Sequence, residues 1–258
     1  MDEFLKFAIQ LSLKAGDIIK NNFTLGMAKE WKKDDTPVTA TDKFINQLVL
    51  DTIQKKYPNH SVLAEEGSRP SPQSEYVWVC DPLDGTIAFS HGLPTFVFSL
   101  ALIKDGESLL GVIYDPMLNR LAIAEKGKGA FIDDKKIRVS QDANLSNETM
   151  VNLDCDYKLF GLREKLIKEK NCYVSNLYSA VYGGLLVAVG EFVAEVYEYK
   201  KPWDGAAVKI IVEEAGGKVT NILGNKQKYN QPINGFVASN GILHEQMVNL
   251  IKQVLEVK

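Results

Sequence analysis

The chain of 258 residues is 45% hydrophobic and 24% charged, with 30 Lys and Arg against 33 Asp and Glu and a formal net charge of −3. That length buries a sizeable core without staples, and the acidic balance lacks the basic excess with which nucleic-acid and membrane-surface proteins meet phosphates. Cys80, Cys155 and Cys172 show no C-x-x-C spacing, which argues against a disulfide scaffold, a zinc ribbon and a thioredoxin motif. A reducing compartment fits this usage. The acidic start Asp2-Glu3 does not read as an export signal, and the longest apolar runs, such as Thr95 to Ile103, fall far short of the ~20 residues that span a bilayer. A cytoplasmic protein with neither nucleic acid nor membrane as a principal partner is expected.

Along the chain, Phe4, Phe7, Ala8, Leu11, Ala15, Ile18 and Ile19 recur at helical spacing. After a polar loop, Lys32 to Thr36, either Thr39 or Thr41 can cap a second helix that buries Ile45, Leu48, Val49 and Ile53 and ends at Pro58. From Ser61 the pattern turns to short β runs: Ser61 to Ala64, Tyr76 to Cys80, Thr95 to Ile103, Leu109 to Tyr114 and Leu121 to Ala124. The last three are joined by connections short enough for antiparallel neighbours, so a meandering sheet is expected. Residues Gly127 to Ser140 read as a hairpin turning at Asp133-Asp134. Strands are then expected near Met150 to Asp154, Glu191 to Tyr197, Lys218 to Ile222 and Gly235 to Ser239, with helices between and after them. Among these are Ala180 to Val189, apolar all round as a buried helix should be, Trp203 to Ala215 stopping at Gly216-Gly217, and Glu245 to Val257. The fold class is α/β, with an α+β first half and an α/β second half: residues 1–140 and 141–258 read as two parts of one catalytic unit.

Val77 to Thr86 carries the most chemistry: an apolar strand runs straight into Asp81-Pro82-Leu83-Asp84-Gly85-Thr86. Asp81 and Asp84, three apart, can converge on a cation, with the Leu83 carbonyl as a further hard oxygen. A short helix starting after Gly85 would present free N–H groups to a phosphate beside that cation. A bare D-x-x-D-G is more often an Asp-rich turn, but three other acidic segments share its setting at element ends. These are Thr39-Ala40-Thr41-Asp42, Leu63-Ala64-Glu65-Glu66-Gly67 and Trp203-Asp204-Gly205-Ala206-Ala207. Lys32-Lys33, Lys55-Lys56 and Lys200-Lys201 read most simply as solvated faces, with Lys33 close in sequence to Asp42.

In these motifs, in this order, and in Glu214-Ala215-Gly216-Gly217, nearly the whole chain resembles the inositol monophosphatase family of magnesium-dependent, lithium-sensitive sugar phosphatases. The resemblance implies a layered αβαβα sandwich of the inositol monophosphatase and fructose-1,6-bisphosphatase type. It assigns Glu65, Asp81 and the Leu83 carbonyl to one Mg²⁺, and Asp81, Asp84 and Asp204 to a second, within a set of two or three ions for which Mn²⁺ can substitute. It makes Asp42, Thr86 and Glu65 catalytic, places phosphate on the Gly85 and Thr86 N–H groups, gives substrate contacts to Ser179, Ala180 and Glu198, and sets Glu66 behind the metal ligands. Electrostatics agree: two carboxylates ~4 Å apart repel by about 4 kcal/mol at an effective dielectric of 20, so four clustered carboxylates require cations. All the implied ligands are oxygen, and His60, His91 and His244 leave little for a nitrogen-rich zinc site.

The implied activity is hydrolysis of a small polyol or sugar phosphate by metal-activated water, in a protein expected to form a homodimer. Alternatives are phosphatase action on histidinol phosphate, fructose bisphosphate or a 3′-phosphoadenosine nucleotide, or a protein that contacts RNA polymerase with catalysis secondary. Where the family usually has Arg-x-x-Gly-Ser/Thr-Ala, this chain reads Ser175-Asn176-Leu177-Tyr178-Ser179-Ala180, replacing the Arg and the Gly. The spacing from Glu198 to Asp204 is one residue shorter than usual, and the Asn that often follows D-G-T-x is Ala88.

Overall fold

A computed structural model describes residues 2–155 and 159–256. Helix α1 (Asp2–Asn22) buries Ala8, Leu11, Ala15 and Ile19, the predicted stripe, and α2 (Ala40–Lys56) buries Ile45, Val49 and Ile53. Thr39 is the N-cap of α2, and its N–H donates to the Asp42 carboxylate at 2.9 Å. Between the helices, β1 (Glu30–Trp31) and β2 (Pro37–Val38) pair antiparallel, turning the expected Lys32 to Thr36 loop into a hairpin tip. These two-residue strands carry no periodicity to betray them.

Seven strands in sequence order form the larger sheet: β3 (Ser61–Ala64), β4 (Tyr76–Asp84), β5 (Val97–Lys104), β6 (Glu107–Asp115), β7 (Arg120–Glu125), β8 (Gly129–Ile132) and β9 (Lys135–Lys136). Only β3 and β4 run parallel; the rest is the expected meander, and the β8–β9 turn uses Asp133 and Asp134 in the left-handed region, φ +48 and +64. Helix α3 (Thr86–Ser90) follows β4 directly. The sheet is covered on both faces. Trp78, Cys80, Phe98, Leu100 and Leu102 pack with α1 and α2, whereas Val79, Val97, Ala101 and Ile103 face the opposite core, which is why β4 and β5 read as continuous apolar runs.

That second core is built on α5 (Ala180–Ala188) and α6 (Trp203–Glu214). Beyond it lies a five-stranded mixed sheet in the order β11 (Tyr173–Ser175), β10 (Met150–Asp154), β12 (Ala194–Tyr197), β14 (Phe236–Ser239), β13 (Lys218–Thr220). Its outer face is closed by α4 (Phe160–Lys168) and α7 (His244–Glu256) through Leu162, Leu166, Met247, Val248 and Ile251. The layers therefore alternate helix, sheet, helix, sheet, helix, as the family resemblance implies. Val257, the expected end of the last helix, lies outside the described residues. Among the described residues no helix is long and apolar enough to cross a membrane.

Candidate active site

Asp81 and Asp84 stand on one strand at a spacing that, in a regular strand, would send them to opposite faces. A bulge solves this. Asp81 pairs with Ser99 and Asp84 with Val97, so three steps on β4 oppose two on β5, and the extra residue returns both carboxylates to one side. Pro82, which has no N–H to offer a ladder, lies inside the irregularity. Asp204 reaches the same point from the first turn of α6. Carboxylate oxygens of Asp81, Asp84 and Asp204 lie within 4.8 Å of one another, and all three side chains are buried.

Each carboxylate is held by neutral donors. Asp81 accepts from the Leu83 N–H at 2.9 Å; Asp84 accepts from the Val181 N–H at 2.9 Å and from the Ser179 hydroxyl; Asp204 accepts from the Tyr197 hydroxyl. Burial first, then the neighbouring carboxylates, pushes Asp81 and Asp84 well above the usual carboxylate range and Asp204 up to about 6. Three buried, mutually repelling, oxygen-only donors, none of them in an ion pair among the described residues, are a donor set suited to a hard divalent cation.

The site opens into a cavity of about 490 Å³. Glu65, Leu83, Gly85 and Thr86 line it with the three aspartates, as does Asp154 at the end of β10. The Thr86 hydroxyl donates to Asp42 Oδ1 at 2.8 Å and lies 3.1 Å from the Leu83 carbonyl; Asp42 itself is buried, and burial raises its pKa. Asp42, Glu65, Asp81, Leu83, Asp84, Gly85, Thr86 and Asp204 are thus brought together. Gly85 takes φ +90, and a β-carbon there would sit 2.7 Å from the Thr95 carbonyl, so close chain packing already demands glycine.

Other expectations fall elsewhere. Ser179 and Ala180 are buried and do not line the cavity: Ser179 caps α5, accepting the Tyr182 N–H at 3.2 Å, and holds Asp84 from behind. Glu198 is likewise outside the lining, which takes its neighbours Tyr197 and Tyr199 instead. Lys32 and Lys201, read from sequence as solvated, turn inward. Both reach Glu65 Oε1, at 2.9 and 3.0 Å, and Lys32 also reaches Glu66 at 2.8 Å. Lys33 stays exposed on the hairpin tip. None of the three histidines lines the cavity. Tyr178, Asp34, Asp35 and Lys201 complete the mouth, and no local pattern in the sequence marked them.

A profile of the inositol monophosphatase family matches residues 1–256. The chain belongs to the inositol monophosphatase family. It is therefore a member of a family of metal-dependent phosphatases. The chain is 35% identical over 255 residues to a fructose-1,6-bisphosphatase/inositol-1-monophosphatase of Thermotoga maritima, covering 98% of this chain and 97% of that one. It is 32% identical to a histidinol-phosphatase of Chlorobaculum parvum, covering 96% of each, and 33% identical to a Nus factor SuhB of Pasteurella multocida, covering 87% of each. Among solved structures, the Thermotoga maritima IMPase superposes with a TM-score of 0.90 at 34% identity, covering 100% of this chain and 99% of that one.

Proposed function

We propose that the protein is a Mg²⁺-dependent phosphomonoesterase acting on a small polyol or sugar phosphate. The buried cluster of Asp81, Asp84 and Asp204, opening on a cavity that is also lined by Thr86 with its hydroxyl on Asp42 behind it, carries this conclusion. These three aspartates, with Glu65 and the Leu83 carbonyl, would hold two divalent cations, and a ligand set of oxygens alone favours Mg²⁺ or Mn²⁺. Bound there, the cations supply Lewis-acid polarisation of the phosphoryl group, a lowered pKa for water and charge to offset the departing oxygen.

The chain's own groups do the rest. Because the Thr86 proton is directed to Asp42 Oδ1, the free lone pairs of Oγ1 can accept a hydrogen bond from a water in the cavity. Proton transfer from that water to Thr86, and from Thr86 to Asp42, ends on a carboxylate that burial has made more basic than an exposed one. The Thr39 N–H at 2.9 Å and the Thr39 hydroxyl fix the other oxygen of Asp42 and so hold its orientation. The Gly85 and Thr86 N–H groups, on residues that line the cavity at the start of α3, would meet phosphate oxygens. Lys32 and Lys201 steady Glu65 at the cavity edge.

The test is release of inorganic phosphate from inositol 1-phosphate by the purified protein in Mg²⁺. Turnover should vanish in EDTA, return with Mg²⁺ or Mn²⁺, and fall in lithium. No phosphate released from any small monoester in Mg²⁺ would overturn the proposal.

A further inference from the structure

Resting on the phosphatase reading above, we propose that Tyr197 is a positioning residue for Asp204. Its hydroxyl keeps that carboxylate a one-oxygen ligand and so tilts the aspartate cluster toward a small octahedral cation such as Mg²⁺ and against Ca²⁺. The observation behind this is which oxygens the protein already uses. Asp84 Oδ2 accepts both the Val181 N–H, at 2.9 Å, and the Ser179 hydroxyl. Asp204 Oδ2 accepts the Tyr197 hydroxyl. On both carboxylates these donors gather on Oδ2, which leaves Oδ1 to a cation.

The phenol is held firmly in place. Tyr197, on β12, is buried, and its ring stacks on that of Phe236, its partner on β14, with centroids 5.1 Å apart and planes 26° from parallel. Phe236 packs in turn against Gly205, the residue after Asp204: a β-carbon there would sit 3.2 Å from the Phe236 ring and 2.7 Å from that of Tyr229. The phenol and the first turn of α6 are thus seated against the same ring, which fixes the hydroxyl relative to the carboxylate. An acid in a first turn commonly serves its own helix. Here the Gly205 and Ala206 N–H groups donate to the Pro202 carbonyl, at 3.2 and 2.9 Å, and the Asp204 carboxylate is tied to β12 instead.

The two cations differ in how they take a carboxylate. Ca²⁺ accepts roughly six to eight oxygens in a flexible shell and readily grips a carboxylate by both, whereas Mg²⁺ demands a near-ideal octahedron. A carboxylate bound through both oxygens closes an angle at the metal well below a right angle, which an octahedral ion tolerates poorly. Two-oxygen binding by Asp204 would require Oδ2 to give up the Tyr197 proton. The phenol is also a neutral donor, so it orients Asp204 without cancelling the charge a cation needs. Glu65 is held differently, by the ammonium groups of Lys32 and Lys201. Asp84 Oδ2 has two donors, one of them backbone, and no single substitution frees it. Asp204 Oδ2 loses its hydroxyl donor when Tyr197→Phe deletes one oxygen atom.

The experiment is isothermal titration calorimetry of the metal-free protein with Mg²⁺ and, separately, with Ca²⁺, in wild type, Tyr197→Phe and Phe236→Leu. It reads the Ca²⁺ dissociation constant divided by that for Mg²⁺. In Tyr197→Phe, Mg²⁺ binding should weaken roughly tenfold, the usual loss when a hydrogen bond behind a metal ligand is cut, while Ca²⁺ binding holds or tightens. The ratio should therefore fall about tenfold or more. Phe236→Leu keeps the phenol but loosens its seat, so the ratio should fall there by a smaller factor. An unchanged ratio in Tyr197→Phe overturns the proposal whatever the melting temperature of that variant, because a merely structural hydrogen bond would change stability and leave the ratio alone. If Tyr197→Phe does not fold, an unchanged ratio in Phe236→Leu overturns it. Wild-type protein that binds neither cation and releases no phosphate would defeat the phosphatase reading itself. Wild-type protein that does both, with a ratio indifferent to the phenol, defeats only this inference.

Discussion

Asp84 is bound on one side by Ser179 and the Val181 N–H and faces Asp81 and Asp204 on the other. Asparagine has nearly the same volume and can present one oxygen to both donors, so Asp84→Asn should fold. It removes a negative charge from a buried, repelling cluster. In EDTA the variant should therefore melt above wild type, by on the order of 1–2 kcal/mol in stability, while phosphate release falls roughly a thousandfold or more. Unchanged turnover at saturating Mg²⁺ would contradict the assignment of Asp84. A second buried acid lies outside the cavity. Glu195, on β12 opposite Asn152 of β10, is fully buried, and a β-carbon on Gly183 of α5 would lie 1.9 Å from its carboxylate. Burial pushes its pKa well above the ordinary value, so the folded protein holds a proton there that the unfolded chain gives up. The stability it contributes is complete below the unfolded pKa and is lost as pH rises through the folded one. Glu195→Gln cannot ionise, so urea denaturation should find it more stable than wild type above neutral pH, with the gap closing toward pH ~4.5.

At the scale of elements, the glycines facing α5 and α6 set how closely the helices approach the sheets. Gly111 of β6 lies under α6, where a β-carbon would sit 2.6 Å from Ile210 and 3.2 Å from the Ala207 backbone. Gly111→Ala must push α6 outward, and α6 carries Asp204. The expected cost is about 1–3 kcal/mol in a urea melt, with a loss of phosphate release beyond what the unfolded fraction explains. Loss of stability with full turnover would show that α6 is not the element that positions the aspartate. The same elements show what a sequence can disclose. Helices α1 and α2 were legible because their buried stripes repeat at three and four residues, and the β5–β9 meander because its turns are short. The acidic site was legible because its chemistry is concentrated in short motifs. Less visible was how Asp81 and Asp84 come to share a side, since that depends on a bulge defined by the partner strand β5. Lys32 and Lys201 looked solvated because a lysine's direction is decided by where its hairpin and its carboxylate meet in space. Ser179 was expected at the substrate, yet it supports Asp84 from the far side, a distinction that residue type does not encode.

At the scale of the whole molecule, Asp204 arrives on α6 from beyond the larger sheet, while Asp81 and Asp84 come from β4 within it. Cations held by all three would tie these layers together, so metal binding should stabilise the fold as a unit. Mg²⁺ at a hundred times its dissociation constant would add about 2.7 kcal/mol. That gain must depend on pH. Because the folded pKa values of Asp81, Asp84 and Asp204 are raised, Asp204 to about 6, the metal-free protein is favoured by protonation. The contribution of these groups is complete below the unfolded aspartate range and disappears as pH climbs through their folded values. Protons and Mg²⁺ compete for the same oxygens. Thermal melts should therefore show a large Mg²⁺-induced rise at pH 8 and a much smaller one at pH 5. Asp204→Asn should weaken the Mg²⁺ effect at pH 8. Equal Mg²⁺ shifts at the two pH values would mean that the cation binds somewhere other than this buried cluster.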